Sequence, residues 1–393
     1  MSAHPAPIPL DAGLAIEDLP SDTAADVGRL HALAGVMRGE KRQVLGFPGN
    51  LDFSLEELAP LLGVLFNNVG DPDFADASDI GAKPYELAVL EYVTRLAGAL
   101  PSDVYGYVAS SSSEALLHGL AAARRRLPDA PVYASDQAHY SVGRACELLR
   151  MELVTVASLP DGAMDAADLR LQVLLRRGTA GGAIVAATCG TTMRGAVDDI
   201  VLLRGAAAAA GPVHVHVDAA AGGLIAAHTS PQPRWSFGHG ADSLNISGHK
   251  ILGLPVPAGI SLTRREWMPQ VMGGEYVGTS DRTLACSRSG LTSLLLWARL
   301  RSLGRSGMAA LVMRCQEVAA YAVERLQEAG VRPERVPGSL TVTFERPPAW
   351  IVKKWHLACS GPMAHLVAVG HVTRAAVDEL AADLAGARWE AAA

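Results

Sequence analysis

The sequence predicts an α/β fold: a largely parallel sheet covered on both faces by helices, followed by a smaller α+β C-terminal domain. Three observations carry that expectation. Between about residues 104 and 262, short apolar runs (131–134, 153–157, 183–188, 213–217, 243–246 and 259–262) alternate with segments long enough for helices, the pattern of strands joined by crossovers. Composition agrees, since 49% hydrophobic residues, 19% charged residues and 39 glycines in 393 positions suit a globular α/β enzyme. After the alternating region come a long helical run (308–329), an alternating run (339–344) and a closing helix (372–384). The expected division is an N-terminal arm and helix over 1–45, a large domain over 46–306 and a small domain over 307–393.

Taken in order, residues 1–26 read as a loose arm. Leu30, Leu33, Val36 and Met37 recur at helical spacing and predict an amphipathic helix over 27–42, broken by Gly46-Phe47-Pro48-Gly49-Asn50. A second helix is expected over 55–65, with Ser54 as N-cap and Glu57 three residues later. Asn67-Asn68-Val69-Gly70-Asp71-Pro72 is a loop by composition, and 85–100 returns to helical periodicity. Beyond the sheet region, a glycine-rich loop from Gly273 and Gly274 through Tyr276 to Thr279-Ser280-Asp281 precedes helices over 291–303 and 308–329.

Charge and cysteine usage exclude several classes. A net charge of -6 without a basic stripe argues against nucleic acid as a partner. Cys146, Cys189, Cys286, Cys315 and Cys359 are odd in number and lack CxxC spacing, which reads as reduced thiols and neither a disulfide framework nor a metal site. The first ten residues carry three prolines and no charged-then-apolar leader, so a cytoplasmic location is expected. No apolar run is long enough to span a membrane.

The chemistry gathers around Asn245-Ile246-Ser247-Gly248-His249-Lys250. The chain has five lysines against twenty-nine arginines, so an amine set in an apolar neighbourhood is informative: a desolvated lysine loses its proton and attacks carbonyls. An ordinary lysine with a packed stem is the bland alternative. Polar residues just after strands matter because ligands of such sheets bind beyond the strands' carboxyl ends. Ser110-Ser111-Ser112-Ser113-Glu114 before a helical run is either a phosphate cradle or an N-cap. Asp218, ending Val213-His214-Val215-His216-Val217, either faces a ligand or caps the next helix, and His139 is by itself as easily structural.

In this order, these segments resemble the pyridoxal-phosphate-dependent group II amino-acid decarboxylases, above all the bacterial histidine decarboxylases that use this cofactor. The resemblance runs from about Gly46 to Leu384 through Asn67 to Pro72, Ala138-His139-Tyr140-Ser141, Gly190-Thr191-Thr192, His216-Val217-Asp218-Ala219-Ala220, Ser247-Gly248-His249-Lys250 and Lys354-Trp355-His356. It implies the fold type I architecture, with a seven-stranded, mostly parallel sheet, a small C-terminal domain and a homodimer with active sites at the interface. It also implies roles. Lys250 would hold pyridoxal phosphate as a Schiff base, Asp218 would pair with the pyridine nitrogen, and His139 would stack on one ring face with Ala220 on the other. Ser111, Ser112, Ser113, Ser247 and His249 would surround the phosphate. Thr191 or Thr192 would lie near the ring substituents, and the Thr279 to Asp281 loop, with Ser280, would reach a neighbouring subunit's site. The chemistry asks for the same set, because the ring accepts the electron pair left by CO₂ only while its nitrogen stays protonated beside a carboxylate.

The chain departs from that family at the serine turn, where glycines have become serines, at Leu116, where an asparagine stands in the family, and at Phe47, a tyrosine in the family's Tyr-Pro-x-Asn pattern that here ends in Asn50 and is followed by Leu51. If these four residues face the substrate, the pocket has lost hydrogen-bonding groups. Histidine and an apolar amino acid such as valine or leucine are then both candidates, with discrimination of about 1–3 kcal/mol per methylene. Oxidative decarboxylation or transamination on the same cofactor, and a non-catalytic partner subunit on the same fold, are the alternative functions.

Overall fold

The computed structural model describes residues 8, 14–16, 18, 23–75, 80–178, 181–269, 275 and 277–387. Most of the expected arm, and Gly273, Gly274 and Tyr276 of the glycine-rich loop, lie outside the described residues. The chain divides into two units, Met1–Arg42 and Gln43–Ala393. In the first, α1 (Thr23–Glu40) is the helix that the apolar spacing predicts, yet it has no buried residue. Leu30, Leu33, Val36 and Met37 are each more than half exposed.

In the second unit the helix expected over 55–65 is a 3₁₀ helix, Glu56–Gly63. Pro60 within it has no N–H to give to an α-helical ladder. Leu55 takes the capping position, and Ser54 Oγ accepts only from the Glu56 N–H, at 3.3 Å. The expected loop at 67–72 begins as a short strand, β1 (Asn67–Val69), followed by α2 (Lys83–Leu96).

The large sheet comprises β2 (Val104–Ala109), β3 (Val132–Ser135), β4 (Leu153–Val156), β5 (Ala183–Thr188), β6 (Val213–Asp218), β7 (Ser243–Ser247) and β8 (Gly259–Arg264). Their spatial order is β2-β8-β7-β6-β5-β3-β4. Only β8 runs antiparallel to its neighbours, so the sheet is seven-stranded and mostly parallel. Between the strands lie α3 (Ser112–Arg126), α4 (Ser141–Leu148), α5 (Ala166–Leu175), α6 (Ile200–Ala207) and the single turn α7 (Gly223–Ala226).

Alternation sorts the strand side chains onto two faces. Val185, Val215, Val217, Leu244 and Ile260 enter the main core, whereas Ile184 and Ala186 pack under Leu116 and Leu120 of α3 and Val142 of α4. Along β6 and β7 that second face turns polar: His214, His216, Asp218, Ser243 and Asn245 are all buried there. Helix α3 passes so close above them that a Cβ on Gly119 would run into the His216 ring.

After the sheet, β9 (Ser287–Ser289) pairs with β1 and leads into α8 (Gly290–Glu328). The two helices expected over 291–303 and 308–329 form this one stretch, interrupted where Gly304 takes φ 57° and ψ -174°, a conformation open to glycine. A three-stranded antiparallel sheet follows, made of β10 (Thr341–Glu345), β11 (Ala358–Ser360) and β12 (Met363–Val367) in the order β10-β12-β11, with α9 (Ala349–Lys354) and the closing α10 (Arg374–Gly386).

The polar residues of the 67–72 segment hold the structure. Asn68 Nδ2 donates to Glu86 of α2 at 2.6 Å, the Val108 N–H donates to the other Glu86 oxygen at 2.7 Å, and the buried Arg288 of β9 pairs with the same carboxylate. Glu86→Ala would leave the Arg288 guanidinium buried and unpaired. We expect it to lower the unfolding free energy by about 3–5 kcal/mol, as measured by denaturant titration, and a loss below 1 kcal/mol would refute this role.

Candidate active site

The segments that follow β3, β5 and β7 come together on one cavity of about 600 Å³, whose wall includes His139, Thr191, Thr192 and Lys250. Lys250 lies in the turn after β7. Its backbone is clamped from two sides, because its carbonyl accepts from the N–H groups of Asn50 (2.9 Å) and Gly253 (3.0 Å). Burial pushes the Lys250 ammonium below the ordinary 10.5, and the Asp218 carboxylate opposes that shift in part. The group is thereby biased toward the neutral amine that a carbonyl requires.

Asp218, the last residue of β6, is 8% exposed. One oxygen, Oδ1, accepts from Asn245 Nδ2 at 3.0 Å and from the Ala220 N–H at 3.2 Å. Oδ2 receives no hydrogen bond from a described residue. His139 is half-buried; its Nδ1 accepts from the Ser141 N–H at 3.3 Å and meets Ser141 Oγ at 2.8 Å, which ties the ring to the start of α4. Burial lowers the His139 pKa, partly offset by Asp218 and reinforced by Lys250. The imidazole is therefore a neutral, oriented plane.

The serine turn opens α3. Ser111 is its N-cap, with Oγ accepting from the Glu114 N–H at 3.2 Å and its carbonyl from the Ala115 N–H at 3.1 Å. The N–H groups of Ser112 and Ser113 are then left over from the first helical turn, where anions bind. Glu114 is turned back onto Tyr107 Oη (3.1 Å) and the Ser110 N–H (2.9 Å) and puts no charge in the way. Ser112 Oγ touches Ser247 Oγ at the end of β7. His249 is held by the Ala258 N–H, which donates to its Nδ1 at 3.2 Å, and burial lowers its pKa. An amine biased to neutrality, a carboxylate oxygen left open and a helix N-terminus ringed by hydroxyls are the donor set that pyridoxal phosphate needs.

Other expected positions serve the fold. Leu116 is 1% exposed and packs in the core between α3 and the sheet, so its replacement of a polar residue says nothing about the pocket. Asn50 is buried, with Nδ2 donating to the Ile251 carbonyl at 3.2 Å and Oδ1 accepting from the Asp52 N–H at 3.0 Å; it braces the lysine turn and is absent from the cavity wall. The Leu51 side chain is exposed away from the wall, and its N–H donates to His371. Thr191 Oγ1 accepts from the Ala196 N–H at 3.0 Å, which fixes its side chain, and Thr192 is the more exposed of the two threonines on the wall. Ser280 donates to Asp71 at 2.6 Å, and Asp71 accepts from Tyr105 near the start of β2. The serine turn follows the far end of that strand, so within one chain Ser280 is not part of this cluster. Of the four substrate positions expected from sequence, only Phe47 lines the cavity.

Sequence reasoning missed much of the wall. Residues 229–233 and 336–341 line it, as do Ile225 and His365. Gln316 of α8 ties the two segments together, donating to Thr229 Oγ1 at 3.0 Å and to the Gly338 carbonyl at 2.9 Å. These contacts join segments about a hundred residues apart, and no local pattern announces them.

Residues 86–336 match the family model described as the pyridoxal-dependent decarboxylase conserved domain. The chain belongs to this family. It is similar to serine decarboxylase 3 of Oryza sativa subsp. japonica (36% identity over 89% of this chain and 78% of that one) and to histidine decarboxylase of Mesorhizobium japonicum (34% identity, 90% and 96%). L-methionine decarboxylase from Streptomyces sp. 590 shares the fold, with a TM-score of 0.87, 24% identity and coverage of 97% and 98%. The chain is thus a pyridoxal-phosphate-dependent amino-acid decarboxylase of fold type I.

Two outcomes follow for this decarboxylase. Only a neutral lysine adds to an aldehyde, so the rate at which absorbance develops when pyridoxal phosphate is added to apoprotein should level off below pH 10.5, and at a still lower pH in Asp218→Asn, where the opposing carboxylate is lost. A plateau at or above 10.5 would contradict the assigned environment. Leu116→Ala should cost about 2–5 kcal/mol of stability while leaving the relative rates on different amino acids unchanged in competition assays.

Proposed function

We propose that this decarboxylase acts on an L-amino acid with an uncharged, predominantly apolar side chain of the size of valine, leucine or methionine. The observation that carries the reading is the cavity wall: among its described residues there is no Asp, Glu or Arg, and the ionisable groups are Lys250, His139 and His365. Much of the wall's polarity is already spent. Thr229 Oγ1 donates to the Ile225 carbonyl at 2.9 Å, Ser339 Oγ accepts from the Thr341 N–H at 2.9 Å, and His365 Nε2 donates to the Gly46 carbonyl at 3.0 Å. Phe47, Ile225, Val336, Leu340 and Val369 make much of the wall apolar, and although Thr192, Ser230 and Gln232 also line it, its described residues include no carboxylate or guanidinium to pair a charged side chain.

When bound, pyridoxal phosphate supplies an electron sink for the pair left on Cα as CO₂ departs. In the proposed arrangement Lys250 carries the cofactor, Asp218 Oδ2 keeps the ring nitrogen protonated, His139 and Ala220 bound the two ring faces, and Ser111, Ser112, Ser113, Ser247 and His249 receive the phosphate. Thr191 or Thr192 would supply a hydroxyl near the ring substituents. With no guanidinium in the described wall, the substrate carboxylate would find no bidentate cationic partner there. That raises its energy relative to neutral CO₂ and favours decarboxylation over transamination. The exposed apolar row of α1 supports a homodimer, and five free cysteines support a reducing cytoplasmic setting.

Holoenzyme incubated with a mixture of the common amino acids should yield one aliphatic or thioether amine by mass spectrometry, and Lys250→Ala should yield none. Histamine or ethanolamine as the main product would overturn the substrate class, and a keto acid or aldehyde would overturn the reaction.

A further inference from the structure

A chain of buried side chains runs away from the proposed ring-nitrogen partner. His214, His216 and Asp218 alternate along β6, and Ser243 and Asn245 along β7, with the parallel register placing His216 beside Ser243 and Asp218 beside Asn245. His214, His216 and Ser243 are 0% exposed and Asn245 is 1%. The hydrogen bonds are continuous: Asn245 Nδ2 to Asp218 Oδ1 at 3.0 Å, His216 Nε2 to Asn245 Oδ1 at 3.0 Å, Ser243 Oγ to His216 Nδ1 at 2.8 Å, and His214 Nε2 to Ser243 Oγ at 3.0 Å.

The carboxylate fixes the direction of every bond. An ionised Asp218 only accepts, so the Asn245 amide must turn its NH₂ toward it and its oxygen toward His216. His216 then carries its proton on Nε2. Burial lowers its pKa to about 4, so the ring is neutral and Nδ1 accepts from the Ser243 hydroxyl. Ser243 Oγ in turn accepts from His214 Nε2–H. The far nitrogen, His214 Nδ1, has no partner, and the chain ends there. All four donors point toward Asp218.

We propose that Asn245 and His216 are positioning residues for the cofactor's ring nitrogen. With Ser243 and His214 they form a one-way chain that commits one oxygen of Asp218 and leaves the other to receive the ring N–H. The inference rests on the assignment of Asp218 to that nitrogen. Aligned donors reinforce one another in a low-dielectric interior, and a carboxylate held by one oxygen cannot rotate away from its ligand. Helix α3 accommodates the chain by carrying glycine at 119, directly over the His216 ring.

The test uses holoenzyme reconstituted with pyridoxal phosphate labelled with ¹⁵N in the ring, reading the nitrogen's chemical shift alongside kcat and KM. Thr263→Val is the control: Thr263 sits opposite Ser243 on the adjacent strand β8 and its hydroxyl has no partner. We expect the shift to move toward the unprotonated value most in Asp218→Asn, less in Asn245→Ala, least in Ser243→Ala, and not at all in Thr263→Val. In Asn245→Ala kcat should fall by about one to two orders of magnitude, as for loss of one hydrogen bond to a charged group, with KM little changed. Ser243→Ala removes a single oxygen and decides the matter if Asn245→Ala does not fold. A shift that moves in Asp218→Asn but in neither Asn245→Ala nor Ser243→Ala would overturn the positioning role alone. No change in Asp218→Asn would overturn the Asp218 assignment and the inference with it.

Discussion

The attraction between the Asp218 carboxylate and the Lys250 ammonium is the interaction on which the rest of the site depends. Burial drives the lysine toward its neutral form, and the carboxylate at the end of the neighbouring strand opposes that shift. The same carboxylate acts on His139 in the opposite sense to burial. One charge at the carboxyl end of β6 therefore tempers the effect of burial on the groups after β7 and β3. Parallel pairing makes this possible, because it delivers the ends of adjacent strands to one edge.

That arrangement obliges the protein to bury polar atoms under α3, where a sheet would ordinarily carry valine and isoleucine. Each of these atoms costs free energy unless it is paired. The molecule meets most of that demand with strand register, which brings side chains of β6 and β7 level with each other, and leaves His214 Nδ1 without a partner among the described residues. The opposite face of the same strands is apolar and supplies the core. Alternation thus lets two strands serve stability on one face and chemistry on the other.

How much of this was legible in the sequence follows from the range of the interactions involved. Six of the seven strands of the large sheet were legible because they read as apolar runs bounded by turn residues, most of them buried on both faces, whereas β2 was not singled out. The placement of Lys250, Asp218 and His139 at or just after strand ends was legible because that position is a local property. Position 116 misled, because one helical turn separates a residue facing the ligand from one facing the sheet, and Leu116 faces the sheet. Asn50 misled in another way: its polar groups face the backbone of the lysine turn. The stripe on α1 predicted the helix but not its exposure, since spacing records which residues share a face and not what covers them. The His-Val-His-Val-Asp run did contain the polar row, since period two puts both histidines on the Asp218 face. What it could not show was Asn245 bridging from the next strand.

The central claim is that Lys250, among five lysines, is the residue that carries the cofactor. Borohydride reduction of the holoenzyme followed by peptide mass mapping tests it most directly. The account predicts the reduced pyridoxyl mass on the peptide containing Lys250 and on no other. Finding it on a peptide containing Lys41, Lys83, Lys353 or Lys354, or on none, would contradict the account.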